Sequence, residues 1–298
     1  NRILNNAITK PKQIPFKVIK TGQDSDILIS SINEYIKNID LRNVIKSRIN
    51  QLLNKLRYRV DLYDLLDIDI KTKIIEFALF QKKIRLFNLN YFGFNPRIHK
   101  IELLYNMPNN KLSEEGSKLW HRDLDCDYKN IKLFLPLNKI TKENVPFFYL
   151  KDKRLKSRFD TLKTNNTSLD LWKRGRVDNE TIEANSKNID SFLSLKKGDS
   201  LLIDTVNIYH KGGYCKSKPR LLLHISYQGN GWTSDKPQNF SKEIKKIFKK
   251  ESNKRKLKIL NDELNNYKIF TKSTKKLKIT RKLIYKLSNF FISEKRFT

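Results

Sequence analysis

Leu119-Trp120-His121-Arg122-Asp123 is the stretch on which the reading of this chain turns. Side chains of an extended strand alternate between faces, so His121 and Asp123 point one way and Arg122 the other. An imidazole and a carboxylate on one face are two thirds of a facial triad. With a second histidine from elsewhere, that triad holds non-haem iron(II) and leaves coordination positions open. His210 is placed to be that histidine. It follows a strand-like run, Asp199-Ser200-Leu201-Leu202-Ile203-Asp204, and precedes the Gly212-Gly213 turn. Arg220 stands ten residues after His210 and opens another apolar strand that runs to Tyr227. A guanidinium there can grip a dicarboxylate through paired, charge-assisted hydrogen bonds.

His-x-Asp alone is common in surface loops. The weight rests on the whole order: His-x-Asp, a long gap, then His and Arg ten apart, with strand patterning around each. Zinc is the alternative metal, since two histidines and an aspartate also suit it. His224 competes with His210 for the third position, but the spacing to Arg220 favours His210 and leaves His224 as a core histidine. Trp120 points away from the ligand face and reads as packing. Ser226 and Tyr105 lie near the expected site without a clear role.

At these residues the chain resembles the phytanoyl-CoA dioxygenase family of Fe(II)/2-oxoglutarate oxygenases. The matching text is 119–123, then Asn144-Val145-Pro146-Phe147-Phe148-Tyr149-Leu150, then Lys197 to Asp204, then His210-Lys211-Gly212-Gly213 through Pro219-Arg220 to Tyr227. The resemblance implies a mainly β fold with flanking helices, built on a double-stranded β-helix, or jelly roll. It implies iron(II) on His121, Asp123 and His210. It also implies 2-oxoglutarate as cosubstrate on Arg220, and dioxygen as oxidant. Ascorbate fits as an accessory reductant. The chain departs from the family at Val145, where Gly-Pro is common, and at Lys151-Asp152-Lys153-Arg154, where Pro-Gly-Ser-His often follows. Leu222 stands where many such enzymes have a serine that also bonds the cosubstrate.

The 298 residues suffice for one sizeable domain with extensions, and 38% hydrophobic content allows a buried core. No apolar run approaches the roughly eighteen residues of a membrane span, and no signal peptide is visible. The two cysteines, Cys126 and Cys215, make no disulfide framework, which points to a reducing cytoplasm. Lys and Arg number 62 against 31 Asp and Glu, a formal net charge of +31. A field this positive attracts anionic partners: nucleic acid, anionic lipid, acidic glycans.

Three regions are expected. Residues 1–69 form a basic arm and a helix, with Asp40 as N-cap and Leu41 to Leu56 as an amphipathic stripe. Residues 70–235 form the oxygenase core. It begins with a helix at 71–83 and a turn at 90–95, and strand text runs from 97 to 106 and from 130 to 137. An insertion at 151–190 reads as a lid. Residues 236–298 carry 20 Lys and Arg against 5 Asp and Glu, a formal +15, and read as a basic helical tail. Within it, Leu283, Ile284, Leu287, Phe290 and Phe291 fall at helical spacing, a pattern suited to an anionic membrane surface or to the protein's own core.

The reading is therefore a hydroxylating Fe(II)/2-oxoglutarate dioxygenase acting on a small-molecule, lipid-linked or glycan-type substrate. It would be cytoplasmic, with peripheral membrane contact through the tail. One alternative is a nucleic-acid-modifying oxygenase, though that class carries a second arginine where only Lys216 is near. The other is a non-catalytic basic binding protein on the same scaffold. Oligomeric state is not legible.

Overall fold

The computed structural model describes residues 16–51, 59–108, 118–123, 130–144, 147–150, 176–177, 179–185, 189–191, 195–229 and 238–265. The elements follow in chain order. Strand β1 (Phe16–Lys20) leads into helices α1 (Gln23–Lys37) and α2 (Leu41–Gln51). Strand β2 (Arg59–Asp61) and a short 3₁₀ turn precede α3 (Ile68–Phe80) and α4 (Lys82–Phe92). The strands of the core are β3 (Arg97–Asn106), β4 (Trp120–His121), β5 (Asn130–Pro136), β6 (Phe148–Leu150) and β7 (Arg176–Val177). Helix α5 (Asn179–Asn185) intervenes before β8 (Ile189–Ser191), β9 (Asp199–Asp204), β10 (His210–Lys211) and β11 (Arg220–Gln228). Helix α6 (Ser241–Lys250) and a last helix, α7, at 254–265 follow.

Two antiparallel sheets make the jelly roll. One has six strands in the order β1-β9-β5-β11-β3-β2, and the other five in the order β7-β4-β10-β6-β8. Strand β11 is central to the larger sheet, pairing with β3 on one side and β5 on the other, and every one of its residues is buried. That explains its near-continuous apolar text, since a strand covered on both faces loses the polar alternation of a half-exposed one. Leu104, Phe134, Leu201, Ile203 and Leu222 of the large sheet meet Phe147 and Tyr149 in one apolar cluster. Helices cover the other face: Tyr227 Oη donates to the Ala78 carbonyl of α3 at 3.0 Å, and Asn33 Nδ2 of α1 to the Leu137 carbonyl at 3.2 Å.

The helical region differs from the sequence reading in three ways, each with a local cause. The basic arm supplies β1, which pairs with β9 from Phe16↔Ile203 to Lys20↔Asp199. Sheet pairing, absent from local pattern, selects strand there. The helix expected at 71–83 is two helices. Asp67 caps the first by accepting from the Ile70 N–H at 2.7 Å, and Gln81 Oε1 caps the second by accepting from Lys83 and Ile84 N–H. The turn expected at 90–95 begins only at Gly93, whose φ of 82° gives α4 a left-handed C-cap. Asp40 does cap α2, accepting from the Asn43 N–H at 3.1 Å.

The chain divides into compact units at Gln238/Asn239. In the second unit, Ile244 and Ile247 of α6 are buried while Lys242, Lys245, Lys249 and Lys250 are exposed. Most of the expected lid, the stripe from Leu283 to Phe291 and Cys126 lie outside the described residues. Among the described residues no helix is long and apolar enough to cross a membrane.

Candidate metal centre

Strands β4 and β10 pair with His121 directly opposite His210. Opposed residues on neighbouring strands project to the same side of a sheet, so one register brings together histidines from distant parts of the sequence. Their ring centroids are 4.3 Å apart. Strand β4 ends at His121, yet Asp123 still turns to the same side. Its backbone N–H donates to the Thr205 carbonyl at 2.9 Å, and Thr205 N–H in turn donates to Asn130 at 3.2 Å. The turn carrying Thr205 is built on Asp204, whose Oδ1 accepts from the N–H groups of Val206 and Asn207 and whose Oδ2 accepts from Tyr91.

Asp123 Oδ1 lies 3.8 Å from His121 Nε2 and 3.8 Å from His210 Nε2. One potential ligand atom from each residue falls within 4.8 Å of the others, and all three residues are buried. Two atoms bound to one ion at about 2.1 Å cannot be more than about 4.2 Å apart, and both histidine–aspartate separations lie inside that limit. Each imidazole is oriented by its other nitrogen. His121 Nδ1 lies 2.8 Å from the Leu119 carbonyl and His210 Nδ1 lies 3.0 Å from the Ile208 carbonyl. A carbonyl only accepts, so both Nδ1 atoms carry the proton and both Nε2 lone pairs face the aspartate. This donor set fits a divalent metal of the iron or zinc class.

Burial alone would raise the Asp123 carboxyl. The Lys132 charge, joined by either imidazole whenever it is protonated, outweighs it and holds the group far below the usual carboxylate range. Lys132 Nζ lies 2.6 Å from Asp123 Oδ2. Phe147 stacks on His210 with centroids 5.2 Å apart and contacts Phe134 at 4.8 Å, giving the centre an apolar wall.

Arg220 is buried at the start of β11, opposite Asn106 of β3. Strand alternation puts it on the face of Leu222, a member of the inter-sheet cluster. Lys118 approaches the same region. Its Nζ donates to the Gly213 carbonyl and lies 4.2 Å from the Tyr214 ring centroid, and burial together with the Arg220 charge pushes its ammonium down to about 7. Buried Cys215 is raised by its surroundings, while Arg220 and Lys118 pull the other way.

His224 stands outside the metal cluster. Its Nδ1 lies 2.7 Å from Glu102 Oε2, directly across the β11–β3 pair, and its ring stacks on Phe134 at 5.0 Å. Ser226 Oγ donates to Asn130 Oδ1 at 2.8 Å, and Trp120 is fully buried in a cluster with Leu150, Val177 and Tyr209. Lys132, Glu102, Lys118 and Thr205 were not legible as site residues. The one signal was Lys132 itself, a cation inside the otherwise apolar run 131–137.

No family model and no curated protein matches the chain. Solved structures are similar to the chain at low identity. The non-heme alpha-ketoglutarate-dependent epimerase SnoN from nogalamycin biosynthesis is 11% identical, with a TM-score of 0.46 over 77% of this chain and 84% of that one. EctD from S. alaskensis, solved with 2-oxoglutarate and 5-hydroxyectoine, is 14% identical, with a TM-score of 0.46 over 79% and 81%. HygX from Streptomyces hygroscopicus, solved with nickel and 2-oxoglutarate, is 15% identical, with a TM-score of 0.42 over 73% and 83%.

Proposed function

We propose that this chain is a mononuclear Fe(II)- and 2-oxoglutarate-dependent dioxygenase that hydroxylates a small-molecule, lipid or glycan-type substrate. The observation that supports it is the triad itself. Two Nε2 lone pairs, each locked by an Nδ1–H bond to a backbone carbonyl, converge on one oxygen of a buried carboxylate. Structural zinc sites close their coordination with four protein ligands. Among the described residues only three gather here, which suits a metal that must also bind cosubstrate and oxygen.

Bound iron with 2-oxoglutarate and dioxygen supplies the oxidising power to place one oxygen atom on a substrate carbon, the cosubstrate leaving as succinate and carbon dioxide. The chain's own residues do the rest. His121, Asp123 and His210 hold the metal in one orientation. Arg220 takes the far carboxylate of 2-oxoglutarate through its planar fork. Phe147 and Phe134 keep the histidine side of the centre dry, which strengthens polar interactions within it. As the family resemblance implies, a carboxylate at Asp123 would take the position a halide needs, which favours hydroxylation.

The test is anaerobic titration with Fe(II) and 2-oxoglutarate, read by the metal-to-ligand charge-transfer absorption. Admission of oxygen should then release succinate. Absence of both signals would leave the chain a basic binding protein on a jelly-roll scaffold. Succinate release stimulated by single-stranded nucleic acid, and by no small molecule, would select the nucleic-acid-modifying reading.

A further inference from the structure

Lys132 sits on β5, between Ile203 of β9 and Ser226 of β11. It shares a strand face with Phe134 and so points between the sheets. A lysine there is expensive to bury without a partner. Its partner is Asp123 across the barrel, with Nζ 2.6 Å from Oδ2, and the two side chains are 17% and 9% exposed. The two carboxylate oxygens thus have different tasks. Oδ1 faces both histidine Nε2 atoms at 3.8 Å, while Oδ2 faces the ammonium. A carboxylate can bind a metal through one oxygen or two. Two protein nitrogens and one oxygen leave three positions of an octahedron, enough for a chelating 2-oxo acid and oxygen. A second aspartate oxygen would take one of them.

We propose that Lys132 is a positioning residue that restricts Asp123 to a single metal-facing oxygen and thereby keeps open the position that a chelating cosubstrate needs. This rests on the metal-centre reading above. It makes Lys132 act in opposite directions on the two ligands. The ammonium withholds one oxygen and repels a divalent cation, so it weakens metal binding. By preserving an open position, it strengthens cosubstrate binding.

The experiment uses Co(II) as an oxygen-stable probe on the full chain, with binding and visible ligand-field absorption measured before and after 2-oxoglutarate. In Lys132→Met, Co(II) should bind more tightly and 2-oxoglutarate more weakly, each by about tenfold, the scale seen for groups that orient metal ligands. The Co(II) absorption should also change before any cosubstrate is added. A parallel fall in both affinities, or no change in either, overturns the proposal. Should Lys132→Met not fold, Lys132→Arg decides. Its two-pronged donor competes for Oδ1 as well, so Co(II) binding should weaken by about tenfold, and unchanged binding overturns the proposal. The metal-centre reading fails separately, if the unaltered chain binds Co(II) no better than His210→Ala.

Discussion

His121 and His210 are direct partners across the β4–β10 pair, and each turns its Nε2 toward the same oxygen of Asp123. The pairing register of two very short strands therefore sets the geometry of the centre. No other histidine can take either place without breaking that register. His121→Ala, Asp123→Ala and His210→Ala should each weaken Fe(II) binding by more than the roughly 10–100-fold that second-sphere changes cause. His224→Ala should leave binding near that of the unaltered chain. Equilibrium dialysis against Fe(II) under argon checks the set, and strong loss in His224→Ala would show the third ligand was misassigned.

Arg220→Lys keeps the charge and loses the planar fork. The apparent affinity for 2-oxoglutarate should fall about tenfold, an energy of about 1.4 kcal/mol and typical of one good charge-assisted hydrogen bond. Iron affinity in the absence of cosubstrate should be unchanged. Cosubstrate titrations of the iron-loaded variant that overlay those of the unaltered chain would remove Arg220 from the site.

Glu102 and His224 form a buried pair whose worth lies in mutual satisfaction. Burial alone would raise the glutamate, but its bond to His224 and the nearby Lys100 hold it below the ordinary range. Burial holds His224 below its ordinary value and so neutral near pH 7, so Glu102→Leu strands a buried N–H rather than a charge and should cost about 1–3 kcal/mol in urea unfolding. Adding His224→Phe, which keeps a ring against Phe134, should recover most of that loss. Additive losses in the double variant would contradict this account.

Lys118 predicts a pH dependence with a definite sign. Its folded-state value is pushed down to about 7 from an ordinary 10.5. Below about 7 both folded and unfolded chains carry the charge, and the full cost of burying it opposes folding. From there to 10.5 the unfolded chain holds more protons, so this group makes stability rise with pH. Lys118→Met should abolish that rise, and the difference between the two chains should reach a few kcal/mol at low pH. Parallel stability curves for the two chains from pH 6 to 10 would disprove it.

The basic C-terminal unit is expected to meet an anionic surface. Helix α6 exposes Lys242, Lys245, Lys249 and Lys250, and each lysine near an anionic bilayer contributes about 1 kcal/mol at low screening. Vesicles containing phosphatidylserine should sediment the full chain and release it as salt rises. A chain ending at Gln238 should stay in solution. Equal sedimentation of both chains would place the interaction elsewhere.

Some of this protein is decided by sequence alone. His-x-Asp, the later His and Arg ten residues apart, and the apolar runs around them carry strand period and donor chemistry locally. A closed or sandwiched β core and the candidate ligands His121, Asp123 and His210 could be read from them, and the jelly roll is what the family resemblance added. The strands 97–106 and 199–204 were legible for the same reason, since apolar residues recur along both: Ile98, Ile101, Leu103 and Leu104 in one, Leu201, Leu202 and Ile203 in the other. Only tertiary structure decided the rest. β1 is a strand because β9 offers it an edge. His224 meets Glu102 because the β11–β3 register sets the two opposite each other. Lys132 meets Asp123 because two sheets close on each other. β5 is covered on both faces, so its text does not tell which parity points inward. Partners that meet across a sheet or between sheets are chosen by register and closure, and neither leaves a mark in local sequence.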